Sequence, residues 1–264
     1  MRIALGLEYN GALFCGWQCQ SGGCGAQDAL EAALAQMACH PVRVHAAGRT
    51  DAGVHALMQV VHFDTDTHRP LNAWVRGVNA FLAAGVRVLW ACEVNDAFHA
   101  RFSAEWRCYQ YLLQVSPVAP AVLHGKVGWY HRSLDLGAMQ EAIALLLGEH
   151  DFSAFRAAEC QAKSPEKSLY RARVRQRGNM ILFEFTANAF LHHMVRNMVG
   201  ALVYVGKDKY PPSWMAELLA SKNRTLAPPT FSPEGLYLTG VSYPAGFGLP
   251  LTERRLSELT LPAG

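Results

Sequence analysis

One short segment combines residue types that could carry out a reaction: Gly48-Arg49-Thr50-Asp51-Ala52-Gly53-Val54-His55. It places a carboxylate and a guanidinium two residues apart, between two apolar stretches that are typical of strands, 42–47 and 58–63. Because an aspartate is ionised at neutral pH, Asp51 suits a nucleophile or an anchored ion pair better than a general acid. Asp-Ala-Gly is also an ordinary turn sequence, so this segment alone does not establish a reacting site.

Cysteine and histidine residues are numerous, but their spacing does not favour a metal site. Cys15, Cys19 and Cys24 are separated by three and four residues and form no CxxC pair, so we predict that they are buried or partly exposed thiols. His192 and His193 are adjacent on a predicted helix, where their side chains would point about 100° apart. We therefore predict no metal, and the odd number of cysteines favours a cytoplasmic protein over a disulfide framework.

Two further sequence patterns give weaker evidence of function. The glycines in Gly22-Gly23-Cys24-Gly25 resemble a phosphate-binding loop, but Asp28 stands where GxGxxG requires glycine and no Lys-Ser/Thr pair follows. We expect no ATP or dinucleotide site and no cofactor. Four arginines alternate along one predicted strand and therefore share a face that either stays in water or contacts an anion: Arg171, Arg173, Arg175 and Arg177.

Composition sets the class of protein. The 264 residues are 51% hydrophobic and 17% charged, which excludes general disorder and allows one large or two moderate domains. No stretch is long and apolar enough to predict a membrane span, and Glu8 interrupts the position of a signal-peptide core. The net charge of +3 does not by itself indicate a nucleic-acid partner. The excess of arginine over lysine fits phosphate contacts and equally a GC-rich genome.

Hydrophobic periodicity predicts two α+β units. The first has the order β-α-β-β-α-β, with elements at 2–9, 26–38, 42–47, 58–63, 71–82 and 86–94. The second combines strands at 108–115, 169–177, 180–187 and 235–243 with helices at 136–147, 190–205 and 213–220. We predict two similar ferredoxin-like units in a continuous, mostly antiparallel sheet, with helices on one side and a central basic cleft. The expected domains are 1–104 and 105–264.

The segment around Asp51 resembles the catalytic signature of the tRNA pseudouridine synthase A family. Further blocks follow in the family's order, so the resemblance runs from the first strand to about Tyr243. These blocks are Gly16-Trp17-Gln18, Phe98-His99-Ala100-Arg101-Phe102-Ser103-Ala104, Tyr109-Gln110-Tyr111, His150-Asp151-Phe152, Asn188-Ala189-Phe190-Leu191-His192-His193-Met194-Val195-Arg196-Asn197, Ala227-Pro228-Pro229-Thr230 and Glu234-Gly235-Leu236-Tyr237-Leu238.

The resemblance implies an isomerase that converts uridine to pseudouridine at positions 38, 39 and 40 of the tRNA anticodon stem-loop. It implies a homodimer that needs no cofactor and flips the target base out of the stack. Asp51 would be catalytic, with Arg196 as a candidate ionic partner. Tyr109, Arg49 and Arg196 would bind the nucleotide. The expected RNA contacts are Phe98, His99, Ala100, Arg101, Phe102, Gln161 and Lys163.

Two other functions remain open at this stage. A non-catalytic RNA chaperone could use the same scaffold, although the combination of Asp51, Tyr109 and Arg196 argues against it. A metal-dependent hydrolase would use the cysteine and histidine residues. A glycoside hydrolase is disfavoured because that chemistry usually needs two carboxylates and the signature segment offers one.

Overall fold

The computed structural model describes residues 1–259, which contain ten strands and five α-helices. In chain order they are β1 (Arg2–Tyr9), α1 (Ala26–Ala38), β2 (His45–Ala46), β3 (His55–Asp64), α2 (Leu71–Phe81), β4 (Val86–Val94), β5 (Trp106–Val115), β6 (Gly128–Tyr130), α3 (Leu136–Ala144), β7 (Gly148–Asp151), β8 (Glu166–Arg177), β9 (Met180–Ala187), α4 (Met194–Gly206), α5 (Trp214–Ser221) and β10 (Leu236–Ser242).

The chain forms two compact units. Among the described residues, unit 1 contains Met1–Trp106 together with 237–259, and unit 2 contains Arg107–Leu236. The predicted second domain, 105–264, included that last segment. The structure assigns it to unit 1 because β10 pairs with β3, Tyr237 lying opposite His55. Residues 260–264 of the predicted domain lie outside the described residues.

Unit 1 is built on strands in the order β4-β1-β3, with β2 and β10 each pairing with β3. All of these pairs are antiparallel except β3 with β10. The core is apolar, and Leu5, Phe63 and Trp74 are fully buried in it. Burial of this kind stabilises a fold by roughly 1.5–3 kcal/mol per large side chain. The sheet therefore gives β1 and β3 fixed positions, and the segment that carries Asp51 leads into β3.

Unit 2 has its own antiparallel strands in the order β5-β9-β8-β7, and β6 pairs in parallel with β5. The tight turn between β8 and β9 has Gly178 at a φ of 59°, in the left-handed region that favours glycine. Apolar faces of α3 and α4 are buried, with Met139 and Met198 fully enclosed.

The predicted fold class is confirmed as a mixed α+β protein with mostly antiparallel strands. In unit 1 the predicted β-α-β-β-α-β order is also confirmed, and α1 and β4 have the predicted bounds. The short strands β6 and β7 were not predicted. Three or four residues give too short a pattern of alternation to distinguish a strand from a loop.

Three predicted elements are at least three residues shorter in the structure. The strand at 42–47 is reduced to His45–Ala46. The helix at 136–147 ends at Ala144, four residues before Gly148, which has a φ of 103° and begins β7. The helix at 190–205 begins only at Met194, because His193 takes a left-handed φ of 61° that helical backbone does not allow.

Within residues 1–259, no helix has both the length and the apolar character needed to cross a lipid bilayer. The longest helices, α1 and α4, have 13 residues each, whereas a span needs about 20.

Candidate active site

The segment between β2 and β3 presents Asp51 at a tight turn. The Val54 N–H donates to the Asp51 carbonyl at 3.1 Å. Gly53 has a φ of 81°, which is typical of the third residue in a type II turn. Thr50 is buried, Asp51 is half-buried and Arg49 is exposed. The turn therefore packs its backbone into unit 1 and leaves these two charged side chains at least partly accessible.

Three groups from other parts of unit 1 bind the peptide chain just before Asp51. The Trp17 N–H donates to the Thr50 carbonyl at 3.0 Å. Gln59 on β3 donates from Nε2 to the Gly48 carbonyl at 2.7 Å. The hydroxyl of Tyr9, at the end of β1, shares a hydrogen bond of 2.8 Å with Thr50 Oγ1. The Gly48 and Thr50 carbonyls and the Thr50 side chain are therefore all held in place by hydrogen bonds.

The loop between β1 and α1 packs directly on the turn. The Gly11 N–H donates to His55 Nδ1 at 3.0 Å, and a side chain at Gly11 would overlap the Val54 backbone. Gly16, at a φ of 101°, is so close to the turn that an added Cβ would lie 3.0 Å from the Thr50 carbonyl oxygen. Glycine is required at both positions by the close approach of two backbones.

Cys15 and Cys24 form a disulfide within this loop. The prediction that the loop cysteines are all thiols is therefore wrong for this pair. The Cys15 N–H donates to the Cys24 carbonyl at 2.9 Å, so the loop closes on itself and brings together two side chains separated by nine positions. Cys19 is a free thiol whose Sγ lies 3.6 Å from the Glu31 carboxylate.

The block 98–102, predicted to contact RNA, is divided between core and surface. Phe98 and Ala100 are fully buried, and the Phe98 ring packs against Tyr243 and Phe247 with centroid distances of 5.1 Å. Their side chains therefore cannot reach an RNA, which corrects the prediction for these two residues.

Backbone contacts fix this block from several directions. Arg2 donates to the Phe98 carbonyl at 2.9 Å and forms an ion pair with Asp64 at 2.8 Å. Tyr243 donates its hydroxyl to the Ala100 carbonyl at 2.6 Å. The Ala100 N–H donates to His62 Nδ1 at 3.1 Å. The exposed residues that follow Ala100 therefore start from a fixed backbone.

Those exposed residues form a cationic and aromatic surface. Phe102 is 76% exposed. Its ring centroid lies 4.3 Å from that of His99 and 5.7 Å from the Arg101 guanidinium carbon. Aromatic faces stack on unpaired bases, and a guanidinium binds phosphate, so this arrangement is chemically suited to RNA.

Three histidines lie together at this surface with ring centroids 4.6 to 5.4 Å apart: buried His62, half-buried His99 and exposed His45. Burial lowers the pKa of His62 to about 4, and positive charge on His99 and Arg2 adds to the effect. Burial also lowers the pKa of His99. A neutral His62 ring is required for its Nδ1 to accept the hydrogen bond from Ala100.

Unit 2 holds the other predicted nucleotide contacts. Tyr109 on β5 is half-buried, and its ring meets Phe190 edge to face with centroids 5.1 Å apart. Arg196 on α4 is half-buried and donates from Nε to the Phe231 carbonyl at 2.8 Å. Both side chains are thus oriented by neighbours in their own unit and remain partly exposed.

The predicted RNA contacts Gln161 and Lys163 are exposed on a loop of unit 2. Arg156 donates from Nη2 to the carbonyls of Cys160 at 2.6 Å and Ala162 at 3.1 Å. The backbone of this loop is therefore held while the two polar side chains stay in solvent.

The prediction that the side chains of His192 and His193 point about 100° apart on a helix is wrong. It assumed helical geometry, but the helix begins after them, and their ring centroids are 4.0 Å apart. The absence of a metal stays a prediction.

The four alternating arginines, Arg171 to Arg177, are exposed as predicted, and Ala172 and Val174 between them are buried. Strand register places Ala172 opposite Phe185, and Phe185 opposite Tyr109. Because strand side chains alternate between faces, these arginines lie on the sheet face opposite to Tyr109.

Sequence reasoning missed Tyr9 and Gln59 as residues of the site. Tyr9 is the last residue of a predicted strand, where an aromatic side chain is ordinary. Gln59 did leave a signal, since it is a polar residue inside the apolar run Ala56-Leu57-Met58-Gln59-Val60-Val61, and the structure shows it to be fully buried.

Comparison with known proteins gives a consistent result. A family model described as tRNA pseudouridine synthase matches residues 5–103 and 142–244. The chain is 66% identical over 97% of its length to a tRNA pseudouridine synthase A of Methylobacillus flagellatus, covering 98% of that protein. It is 62% identical to the protein of the same name from Chromobacterium violaceum, over 95% of this chain and 96% of that one.

Another protein of that name, from Dechloromonas aromatica, is 61% identical over 95% of each chain. Among solved structures, one described as a Cbf5-Nop10-Gar1 complex aligns with 89% of this chain and 48% of its own. Its TM-score is 0.35 and the identity is 11%, a similarity too distant to bear on the assignment.

The histidine cluster predicts a loss of stability in acid. The pKa of His62 is lower in the folded state than its ordinary value of 6.5. The unfolded chain therefore binds this proton first as pH falls, and the free energy of unfolding decreases below about pH 6.5. Between neutral pH and about pH 5, the titration of His62 should lower the free energy of unfolding by about 2 kcal/mol.

Urea unfolding of the wild type and of His62→Asn at these two pH values measures this effect. Asparagine keeps an acceptor near the Ala100 N–H but does not titrate, so its pH dependence should be smaller. His131→Asn, at an exposed position of unit 2, should keep the wild-type dependence. An unchanged dependence in His62→Asn would show that His62 is not the group responsible.

Proposed function

The chain belongs to the tRNA pseudouridine synthase family, and we propose that it acts through Asp51 on uridines at positions 38, 39 and 40 of the tRNA anticodon stem-loop. The family reaction turns uridine into pseudouridine, so the protein is an isomerase. The observation that carries the assignment of Asp51 is its place on a turn whose backbone is anchored while the carboxylate stays partly exposed.

The chemistry needs no partner besides the RNA. The bond between uracil N1 and ribose C1′ breaks, the base rotates, and C5 forms the new bond to C1′. C5 gives up its proton and N1 gains one, so substrate and product have the same composition. A single carboxylate is enough for either of two routes, a bond from Asp51 to C1′ or a glycal-type intermediate. Hydrolysis of a glycosidic bond usually needs two carboxylates.

We assign the nucleotide contacts to Tyr109, Arg196 and Arg49. Tyr109 offers a partly exposed ring that can stack on the flipped uracil. Arg196 is a half-buried cation with its orientation set by the Phe231 carbonyl. Arg49 is exposed two residues before Asp51. Extruding a base costs a few kcal/mol, and a guanidinium that stacks or binds phosphate offsets part of that cost.

The remaining RNA contacts are His99, Arg101, Phe102, Gln161 and Lys163. All five are at least partly exposed, unlike Phe98 and Ala100. An enzyme that acts at three neighbouring positions must recognise RNA shape and backbone more than base edges. The surface formed by His99, Arg101 and Phe102 has this character, since it combines stacking faces with one cation.

We further propose that the protein acts in the cytoplasm as a homodimer. The resemblance to the family supports both statements.

Replacing Asp51 by asparagine or alanine should abolish pseudouridine formation and leave tRNA binding intact, since the reacting carboxylate is lost while the RNA surface remains. Chemical mapping of pseudouridine at each position of an unmodified tRNA measures product, and filter binding measures affinity. Asp66→Asn, an exposed position in the same unit, should retain activity.

Product formation by Asp51→Asn would contradict the assignment of Asp51. Wild-type protein that binds tRNA without forming any pseudouridine would support the RNA-chaperone alternative. Modification at uridines outside 38, 39 and 40 would contradict the proposed target positions.

Arg101→Ala should weaken tRNA binding and reduce the salt dependence of affinity, because one phosphate contact releases about one counterion. The slope of log affinity against log salt should fall in magnitude by about 1. Titrations at several salt concentrations measure it, with Arg76→Ala at an exposed position of α2 as the matched control. Equal slopes for wild type and Arg101→Ala would remove Arg101 from the RNA surface.

The homodimer predicts a mass in solution of about twice the 29.0 kDa of one chain. Light scattering coupled to size exclusion measures it over a range of protein concentrations. A mass that stays at that of one chain would overturn this part of the proposal.

A further inference from the structure

Two buried polar side chains of unit 1, from two different strands, bind the segment just before Asp51. Gln59 reaches the Gly48 carbonyl from the middle of β3. Tyr9 reaches the Thr50 side chain from the end of β1. Neither residue belongs to the sequence segment 48–55. Together with the Trp17 N–H on the Thr50 carbonyl, they leave the peptide chain before Asp51 little freedom to move.

The burial of Gln59 is difficult to explain by packing alone. The side chain is fully buried, and its Oε1 atom accepts no hydrogen bond from the described residues. Burying an amide without complete hydrogen bonding is unfavourable, so an apolar side chain of similar size would suit the core better. Only a donor, however, can satisfy the Gly48 carbonyl, and the Nε2 group does so at 2.7 Å.

Tyr9 is also more than a core aromatic. It is 5% exposed, and burial raises the pKa of its phenol, so the hydroxyl stays protonated. Its ring lies 5.6 Å from that of Trp17, whose backbone N–H binds the same threonine. Thr50 is therefore held through both its side chain and its carbonyl by two residues that pack on each other.

We propose that Gln59 and Tyr9 are positioning residues for Asp51. They fix the backbone immediately before Asp51, and the hydrogen bond from Val54 to the Asp51 carbonyl fixes the turn after it. Neither touches the nucleoside. They act by placing the carboxylate where it meets the ribose, so the inference depends on the catalytic role proposed for Asp51.

Single-turnover kinetics of Gln59→Leu and Tyr9→Phe test this inference. A displacement of a reacting group by about 1 Å costs on the order of 100-fold in rate, so kcat should fall by roughly 10- to 100-fold in each variant. The tRNA dissociation constant should stay within about twofold, because the RNA surface is unchanged. A fall in kcat at constant affinity is the signature of a positioning role.

Gln59→Glu provides a second readout. A protonated carboxyl can donate to the Gly48 carbonyl in place of the amide, whereas a carboxylate cannot. Activity of this variant should therefore approach that of the wild type at low pH and fall as pH rises, within the range where the wild type stays active. Gln59→Leu should show no such recovery.

Asn79→Ala is the matched control for a general loss of stability. Asn79 makes two hydrogen bonds to the Val88 backbone in unit 1 and has no hydrogen bond to the Asp51 turn. This variant should lose stability but keep its kcat at a temperature where it is folded. An equal fall in kcat for Asn79→Ala would overturn the proposal.

The positioning role would also be overturned if folded Gln59→Leu and Tyr9→Phe had rates within about twofold of the wild type. This holds even if Asp51→Asn is inactive. Turnover by Asp51→Asn would instead overturn the proposed function. If Gln59→Leu does not fold, Tyr9→Phe, which removes a single oxygen atom, decides the question by itself.

Discussion

A carboxylate on a turn can take part in a reaction only if the peptide groups beside it keep their positions. In unit 1 the carbonyls of Gly48 and Thr50 receive hydrogen bonds from Gln59 and from the Trp17 backbone. These donors come from a strand core and from a packed loop, so their own positions are set by the fold. If Asp51 has the role that we propose, the rest of unit 1 acts on the chemistry through two carbonyl oxygens and one threonine hydroxyl.

A backbone held in place by buried contacts is also a feature of the surface that we assign to RNA. Arg101 and Phe102 extend into solvent, but the residues before them are buried and bound by Arg2, His62 and Tyr243. Buried Phe98 and Ala100 therefore hold the backbone from which the proposed RNA contacts extend. A long side chain on a fixed backbone loses less entropy on binding than one on a mobile loop.

Much of this could be predicted from the sequence, and the gaps have physical causes. The 3.6-residue and two-residue periods located α1, β4 and β9 at their observed bounds. Local pattern could not distinguish which residues of 98–102 enter the core, because that depends on contacts with Tyr243 and Phe247 far along the chain. The Cys15–Cys24 disulfide and the hydrogen bond from Gln59 to Gly48 join residues only nine and eleven positions apart. They were missed because residue pattern does not show which side chains a folded loop brings together.

Strand β10 has a consequence for how the protein is made. It pairs with the start of β3, and the rings of Tyr237 and His55 stack with centroids 4.6 Å apart. A ribosome releases the Asp51 turn early, but the neighbour of its following strand emerges only after all of unit 2. Until then the nascent chain carries an open strand edge beside the turn, a feature that favours unwanted association. The part of unit 1 next to the Asp51 turn is therefore completed only after unit 2 has been synthesised.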